Sequence, residues 1–415
     1  MDGSGCEVIG RIPSGSGFWH SVEIGATVTE HIAGFTSTGS KRPETLFGSH
    51  DPNLPSRMTR SSGCTVWDDQ GREYIDYIMG LGSVALGYAH PEVVAAATAA
   101  VQAGTVGPLA PVLEEEVAST FSRLIPWIER IRFLKTGAEA MAAAVRLARV
   151  QTGREAILGC GYHGWLDWCQ GAAGVPSSTR SLYTELPFND AERARQLIRS
   201  QGDRLAAVVF EPVVVAEPTM EWLQVLREET HRAGALLVVD EIKTGCRLAV
   251  GGASERYRIR PDLVVMGKAI ANGFPLALVG GRSDVMAGVS RTWISSTLAT
   301  EFVSLAAAKA TLQVMQTLRV TEHIERVGGH LLDGLQALAA EHSDTLTGVG
   351  GIAQMCFVHY ADEAVSHAVT AACAQSGLLF KRSAYNFVSL AHTESIVDRS
   401  LQVLSEALSA VGKPA

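Results

Sequence analysis

The chain has 415 residues, 47% of them hydrophobic and 19% charged, with a formal net charge of −8. That length can bury a sizeable core and leaves room for more than one domain, and the acidic balance argues against nucleic acid and anionic membrane surfaces as partners. Seven cysteines, at 6, 64, 160, 169, 246, 356 and 373, form no C-x-x-C pair and no zinc spacing, which suits a reducing compartment rather than a disulfide framework or a metal centre.

Taken in chain order, residues 1–60 are rich in Gly, Ser, Thr and Pro with little periodicity, and read as an irregular N-terminal arm. The arm contains no apolar signal segment and no later run reaches transmembrane length, so a soluble cytoplasmic protein is expected. "TVWDDQGREYIDYI" alternates apolar positions around an Asp-Gln-Gly turn and predicts a hairpin. "HPEVVAAATAAVQAG" predicts a helix that starts at Pro91 and stops before Gly104. The middle of the chain then alternates short runs of Val, Leu and Ile with helical patterns: "IRFLKTG", "AEAMAAAVRLARVQTG", "EAILGCGYHG", "LAAVVFEPVVV", "MEWLQVLREETHRAG", "ALLVVDE" and "DLVVMGKAI". Unalternating apolar strands separated by helices point to a mostly parallel sheet covered on both faces. From about residue 305, "SLAAAKATLQVMQTL" reads as a long connecting helix, and "GGIAQMCFVHY" and "NFVSLAH" read as short strands of a smaller α+β domain. The expected divisions are an arm (1–60), an N-terminal part of the small domain (61–104), a large domain (105–318) and a C-terminal small domain (319–415).

Ligands of open parallel sheets sit beyond the carboxyl ends of the strands. Asp240 and Lys268 both stand at such ends, so both are expected to face one crevice. A lysine at a strand end is more often a solvated surface residue. Here it lies between a buried run and the Gly-rich turn "GKAIANGFP", where a lone charge is costly. It is no nucleotide P-loop, because the required glycine is Asp262 and Ala269 replaces Ser or Thr. A buried lysine of lowered pKa is a natural Schiff-base former, and Asp240 then has a role as partner of a pyridinium nitrogen, which makes the ring an electron sink. Pyridoxal phosphate also needs a phosphate cradle. "LKTGAEA" offers one at Thr136, Gly137 and Ala138, where a strand ends and helical N–H groups begin. "GYHGW" places Tyr162 at another strand end, where it can stack on a planar ring.

The order and company of these pieces are specific. From about residue 57 to 410 the chain resembles the class III (ω) aminotransferases, in particular the branch that includes glutamate-1-semialdehyde aminomutase. The stretches that carry the likeness are "GREYIDYIMGLGSVALGYAHPEV", "KTGAEAMAAAVRLARVQTGR", "GYHGW", "FEP", "DEIKTGCR", "PDLVVMGKAIANGFPLALVGGR" and "NFVSLAHT". The resemblance implies the pyridoxal-phosphate-dependent transferase fold of type I, aspartate aminotransferase-like, with residues 105–318 binding the cofactor. It implies that Lys268 carries the cofactor and serves as acid and base, and that Asp240 pairs with the ring nitrogen. Tyr162 would stack on one ring face and Ile242 on the other. Thr136, Gly137 and Ala138 would bind the phosphate, and Glu211 would organise the pocket. Thr297, in "SSTLATE", would reach the phosphate of a neighbouring subunit in a homodimer with shared sites. Partners are then a small-molecule amino donor and a carbonyl acceptor.

Several positions depart from the family pattern. Ala138 stands where Ser or Thr is usual, and Lys135 and "GYHGWLDW" resemble members associated with amino-sugar and aminoglycoside biosynthesis. The aminomutases carry a glutamate shortly before "F-x-S-L-A-H-T", where "KRSAYNF" has none. Cys246 replaces a usual aromatic and reads first as a small buried packing residue, secondly as a thiol able to move a proton. His163 reads as a turn or interface residue, Arg247 as a brace for the "DE" turn, and Arg193 and Arg227 as solvated helix faces. The expected function is transfer of an amino group to a sugar-like aldehyde or ketone. The alternative is an isomerase on the same scaffold, either an epimerase at an amine-bearing carbon or an aminomutase of the glutamate-semialdehyde type.

Overall fold

The structure is a computed structural model and describes residues 31–412. Three short strands, β1 (Met58–Ser62), β2 (Thr65–Asp68) and β3 (Glu73–Asp76), form an antiparallel meander that contains the expected hairpin. The central sheet comprises β4 (Arg130–Leu134), β5 (Ala156–Cys160), β6 (Tyr183–Glu185), β7 (Leu205–Phe210), β8 (Leu236–Asp240), β9 (Leu263–Met266) and β10 (Ala277–Gly281). Their spatial order is β4-β10-β9-β8-β7-β5-β6, parallel throughout except that β10 runs against both its neighbours.

Every residue of β5, β7, β8, β9 and β10 is buried. Helices on both faces therefore have to cover them, which is why these runs read as continuous rather than alternating. The best-defined cover is α1 (Gly137–Thr152), whose Ala140, Met141, Ala144, Leu147 and Ala148 share a helical stripe buried on the sheet. Its start is set by a reciprocal capping box between Thr136 and Glu139, and its end by Gly153 in the left-handed region. The edge strand β6 and the reversed strand β10 were not expected. β10 ends in Gly280-Gly281, where a Cβ on Gly281 would lie 2.2 Å from the Asp262 carbonyl oxygen, so the close passage beside β9 requires glycine.

The consequence for function is the grouping of strand ends. β4, β5, β7, β8 and β9 finish at Leu134, Cys160, Phe210, Asp240 and Met266, all on one edge of the sheet. The segments that follow them carry almost every residue singled out above.

The connecting helix expected near residue 305 is α2 (Phe302–Thr317), which packs on the helix Pro91–Ala103. Beyond a second long helix, Val320–Glu341, lie β11 (Leu346–Ile352), β12 (Met355–Tyr360), β13 (Leu378–Leu379) and β14 (Asn386–Phe387). "GGIAQMCFVHY" thus holds the end of β11, a turn and all of β12, a hairpin rather than one strand. "NFVSLAH" gives only a two-residue strand before the chain folds back, with the Ser389 N–H donating to His392 Nδ1 at 3.1 Å. β13 adds in parallel to β3, so the N-terminal meander and the C-terminal segment form one sheet. The arm reading concerns 1–60, of which 1–30 lie outside the described residues. Within 31–57, the short helix Pro43–Phe47 is docked, with Phe47 and Leu54 buried against Ala374. No helix among the described residues is long and apolar enough to cross a membrane.

Candidate active site

Asp240 is the last residue of β8 and is 2% exposed. Its Oδ1 accepts the Ile242 N–H at 3.1 Å, and its Oδ2 lies 2.8 Å from His163 Nδ1. A carboxylate only accepts, so against Asp240 in that form a neutral His163 would donate from Nδ1. The other imidazole nitrogen is buried without a partner among the described residues, and the ring stacks on Trp168 at 6.0 Å between centroids. His163 thus stands in the turn after β5 as expected, but it is buried against Asp240 within this chain rather than at an interface. The available signal was its place beside Tyr162 at the end of β5.

Lys268 follows β9 in a left-handed conformation, φ +49°, which for a non-glycine residue has to be held by its surroundings. The short helical turn it opens ends at Asn272, whose side chain accepts from the Leu86 N–H and donates to the Gly87 carbonyl, each at 2.9 Å. Burial pushes the Lys268 amine below the ordinary lysine value. The Glu211 carboxylate opposes that shift and the Lys243 cation reinforces it.

Thr136, Gly137 and Ala138 form the turn from β4 into α1. The capping box occupies the Glu139 N–H, while the Gly137 and Ala138 amides at the helix N-terminus have no partner among the described residues. Two backbones and one side chain meet here closely. A Cβ on Gly137 would lie 2.6 Å from Ile242 Cδ1, and a Cβ on Gly164, at φ +103°, would lie 2.7 Å from Ala138 Cβ. Free amides in a glycine-lined cradle suit a phosphate. An apolar Ile242, an exposed aromatic at Tyr162 and a carboxylate at Asp240 suit a flat ring with a protonated nitrogen. The residues present thus fit pyridoxal phosphate. Lys135, at the rim, is bound to Glu301 at 2.6 Å, and Glu301 in turn caps α2 by accepting the Val303 and Ser304 N–H groups.

These residues line a cavity of about 400 Å³, and a second cavity of about 570 Å³ adjoins it. Tyr162, Glu211, Lys243 and Lys268 line both and form the partition. Within the partition, Glu211 accepts the Tyr162 N–H at 2.9 Å and pairs with Lys243 Nζ at 2.9 Å. Lys243 also lies 4.6 Å from the centre of the Tyr385 ring. The second cavity is lined further by Lys381, Ala384 and Tyr385. Sequence reasoning missed Lys243, Lys381 and Tyr385, although the first stands in "DEIKTG" and the others in "KRSAYNF". Thr297 is exposed and lines neither cavity of this chain.

Other residues fall outside the site. Cys246 is fully buried, bonded to the Val250 carbonyl, with its thiol pushed up to about 12 by burial. Its role is packing, and the proton-moving alternative has no access to either cavity. Arg247 does not brace the "DE" turn. It is wholly buried and donates to the carbonyls of Gly82 and Val388 at 2.9 and 2.8 Å, tying the start of the chain to its end. Glu241 is the brace, accepting from Thr244 Oγ1 and from the Ala253 and Ser254 N–H groups. Arg193 and Arg227 are solvent-exposed as expected.

Comparison with known proteins agrees with this geometry. The family model "Aminotransferase class-III" matches residues 47–411. The chain is 35% identical to a glutamate-1-semialdehyde 2,1-aminomutase of Thermomicrobium roseum, over 86% of this chain and 92% of that one. Among solved structures it is similar to the FumI protein of Sphingopyxis sp. MTA144 in its PLP internal aldimine form, with a TM-score of 0.85 and 29% identity, covering 90% of this chain and 92% of the other. It is also similar to a β-phenylalanine aminotransferase of Variovorax paradoxus, with a TM-score of 0.77 and 28% identity, covering 87% and 90%.

Proposed function

This chain belongs to the class III aminotransferases, enzymes that use pyridoxal phosphate, and on that premise we propose that it moves an amino group from an amino-acid donor to the carbonyl carbon of a sugar-like acceptor. Such an acceptor fits aminoglycoside antibiotic or other amino-sugar biosynthesis. When bound, the cofactor supplies an aldehyde that takes up amines and a protonated ring that draws electrons from the adjacent carbon.

The observation that carries the transfer chemistry is Lys268, a lysine of lowered pKa lining both cavities beside a buried Asp240. Lys268 would hold the cofactor by its amine, and its free amine would take a proton from the substrate carbon and return it one position along, work that needs the neutral form its burial favours. Asp240, steadied by His163, keeps the ring nitrogen protonated. Tyr162 and Ile242 enclose the ring, the Thr136–Ala138 turn binds the phosphate, and Glu211 with Lys243 fixes the partition between the cavities. We propose a homodimer in which Thr297 of one subunit completes the phosphate site of the other. The exposure of Thr297, Trp293 (81%) and Leu298 (53%) on one segment supports such a contact.

The acceptor reading is supported by Ala384. It lines the second cavity in the segment where an aminomutase-like glutamate was expected, and leaves a space of about 570 Å³ without that carboxylate. The 35% identity to an aminomutase favours a second reading, an isomerase that conserves the amine. An epimerase variant needs a second proton carrier at the site; Cys246 is out of reach, whereas Tyr162 lines both cavities. The test is a panel of glutamate semialdehyde, simple ω-keto acids, nucleotide-sugar ketones and oxo-aminoglycosides with glutamate as donor. Sugar ketones should be the best acceptors, with 2-oxoglutarate released in equal amount. Glutamate semialdehyde turned over tenfold faster, without loss of amine, would establish the isomerase instead.

A further inference from the structure

A phosphate dianion calls for charge as well as amides, and the Thr136–Ala138 turn supplies little of it. Thr136 Oγ1 donates to Glu139 Oε2 at 3.1 Å while accepting the Glu139 N–H at 3.2 Å, so the one hydroxyl of the turn is occupied. Ala138 has none. Glu139 Oε2 also accepts the Lys135 and Thr136 N–H groups at 3.2 and 2.9 Å, which sets a carboxylate beside the cradle. What remains is two free amides and the partial positive charge of a helix start, roughly half an elementary charge. A phosphate monoester brings about −1.5 to −2 at neutral pH.

Lys135 is the cation placed to balance that charge. It stands between Leu134, the last residue of β4, and Thr136, and it lines the same cavity as the turn. The other two lysines of this cavity are committed elsewhere: Lys243 pairs with Glu211 at 2.9 Å, and Lys268 is the proposed cofactor lysine. The Lys135 side chain is 14% exposed, and its ammonium makes one hydrogen bond among the described residues, to Glu301 Oε1 at 2.6 Å. An ammonium has three N–H donors, so two are left. Glu301 does not depend on this contact. Its carboxylate also accepts the Val303 N–H at 2.7 Å and the Ser304 N–H at 3.0 Å at the start of α2, where a helix favours negative charge. Lys135 can therefore be shared with a second anion without stranding a buried acid.

We propose that Lys135 pairs with the phosphate group of the cofactor, in place of the hydroxyls the turn does not offer, and that Glu301 holds its side chain in position for this. The proposal rests on the assignment of the phosphate to the Thr136–Ala138 turn above. Thr297, proposed to reach the phosphate of a neighbouring subunit, is neutral and leaves the charge to Lys135. A charge-assisted pair of this kind distinguishes a phosphorylated cofactor from its unphosphorylated form more sharply than two amides do.

The test uses the full-length enzyme and its Lys135→Met, Lys135→Arg and Glu301→Gln variants. After removal of the cofactor, calorimetry measures binding of pyridoxamine 5′-phosphate and of pyridoxamine, which differ only in the phosphate and have no aldehyde to link to Lys268. Lys135→Met should weaken the phosphate ester on the order of 10- to 100-fold, and pyridoxamine less than about threefold. Lys135→Arg should recover part of the loss. Glu301→Gln, whose amide oxygen can still cap α2, should bind the ester at least as tightly as the parent, because it frees the cation. In the loaded enzyme, phosphorus NMR should show the dianion persisting to lower pH in the parent than in Lys135→Met, where its titration moves up toward about 6. Equal weakening of both ligands, or a loss in Glu301→Gln that matches Lys135→Met, would make the Lys135–Glu301 bridge a structural fastening and overturn the proposal. So would unchanged affinity and titration in Lys135→Met. A parent that binds the two ligands equally would refute the phosphate turn itself, and the proposal with it.

Discussion

His163 Nδ1 lies 2.8 Å from Asp240 Oδ2, joining a loop residue to a strand end 77 positions away, and neither side chain meets solvent to any extent. The pair fixes the aspartate's orientation through Oδ2, while Oδ1 accepts the Ile242 N–H. His163→Ala should slow amino-group transfer about 10- to 100-fold, the range expected for one lost hydrogen bond to a charged group. Asp240→Asn should cost on the order of 100-fold or more, about 3 kcal/mol. The double variant should be no slower than Asp240→Asn, and His163→Asn, whose amide can occupy the place of Nδ1, should recover part of the rate. Losses that multiply in the double variant would mean that the two residues act separately.

Three lysines, Lys243, Lys268 and Lys381, line the larger cavity, so the assignment of the cofactor to Lys268 can be tested against its neighbours. Borohydride reduction of the loaded enzyme, followed by peptide mass analysis, should place the cofactor on Lys268 alone. Lys268→Ala should lose that adduct and multiple turnover while still binding cofactor non-covalently. Labelling of Lys243 or Lys381 at a comparable level would refute the assignment.

Sharing of the site between subunits gives an arithmetic prediction. Thr297→Glu, which places a charge against the phosphate, and Lys268→Ala should each be nearly inactive. Mixed and allowed to exchange, they should regain about a quarter of the parental activity, since half the dimers are mixed and each has one intact site. Proven exchange without any recovery would remove Thr297 from the partner's site.

His392 carries a pH prediction. It is fully buried, its Nδ1 accepts from the Ser389 N–H, and burial holds its imidazole down at about 3, with the charges of Arg247 and His323 acting in the same sense. The unfolded chain takes up this proton below about 6.5, whereas the folded chain refuses it until about 3. The unfolded state therefore binds more protons across that window, and stability falls as pH falls from 6.5 toward 3. Between pH 6.5 and 4.5 this one group should cost roughly 2–3 kcal/mol, at about 1.4 kcal/mol per unit. Thermal unfolding across that range should show a shallower loss for His392→Gln than for the parent.

Much of the architecture was legible because burial on both faces leaves a direct mark on composition. The runs at β7, β8 and β9 could only be interior strands, and the turns after them could only meet at one edge. β10 was hidden by its two glycines, which carry no apolar signal, and β6 by its three-residue length. The second half of "NFVSLAH" looked like a strand by composition, yet Ser389 and His392 satisfy one another locally and the ladder ends at Phe387.

Lys268, Asp240 and the Thr136–Ala138 turn could be singled out from the sequence alone, since each breaks an apolar run at its end and a charge or a glycine there has no packing reason to exist. Whether a polar residue elsewhere is paired depends on which strand lies beside which, and local periodicity does not encode strand order. Only the tertiary structure therefore decided that His163 belongs to Asp240, that Lys243 belongs to Glu211, that Cys246 is sealed in the core, and that Lys381, unremarkable among the chain's lysines and arginines, lines a cavity beside Lys268.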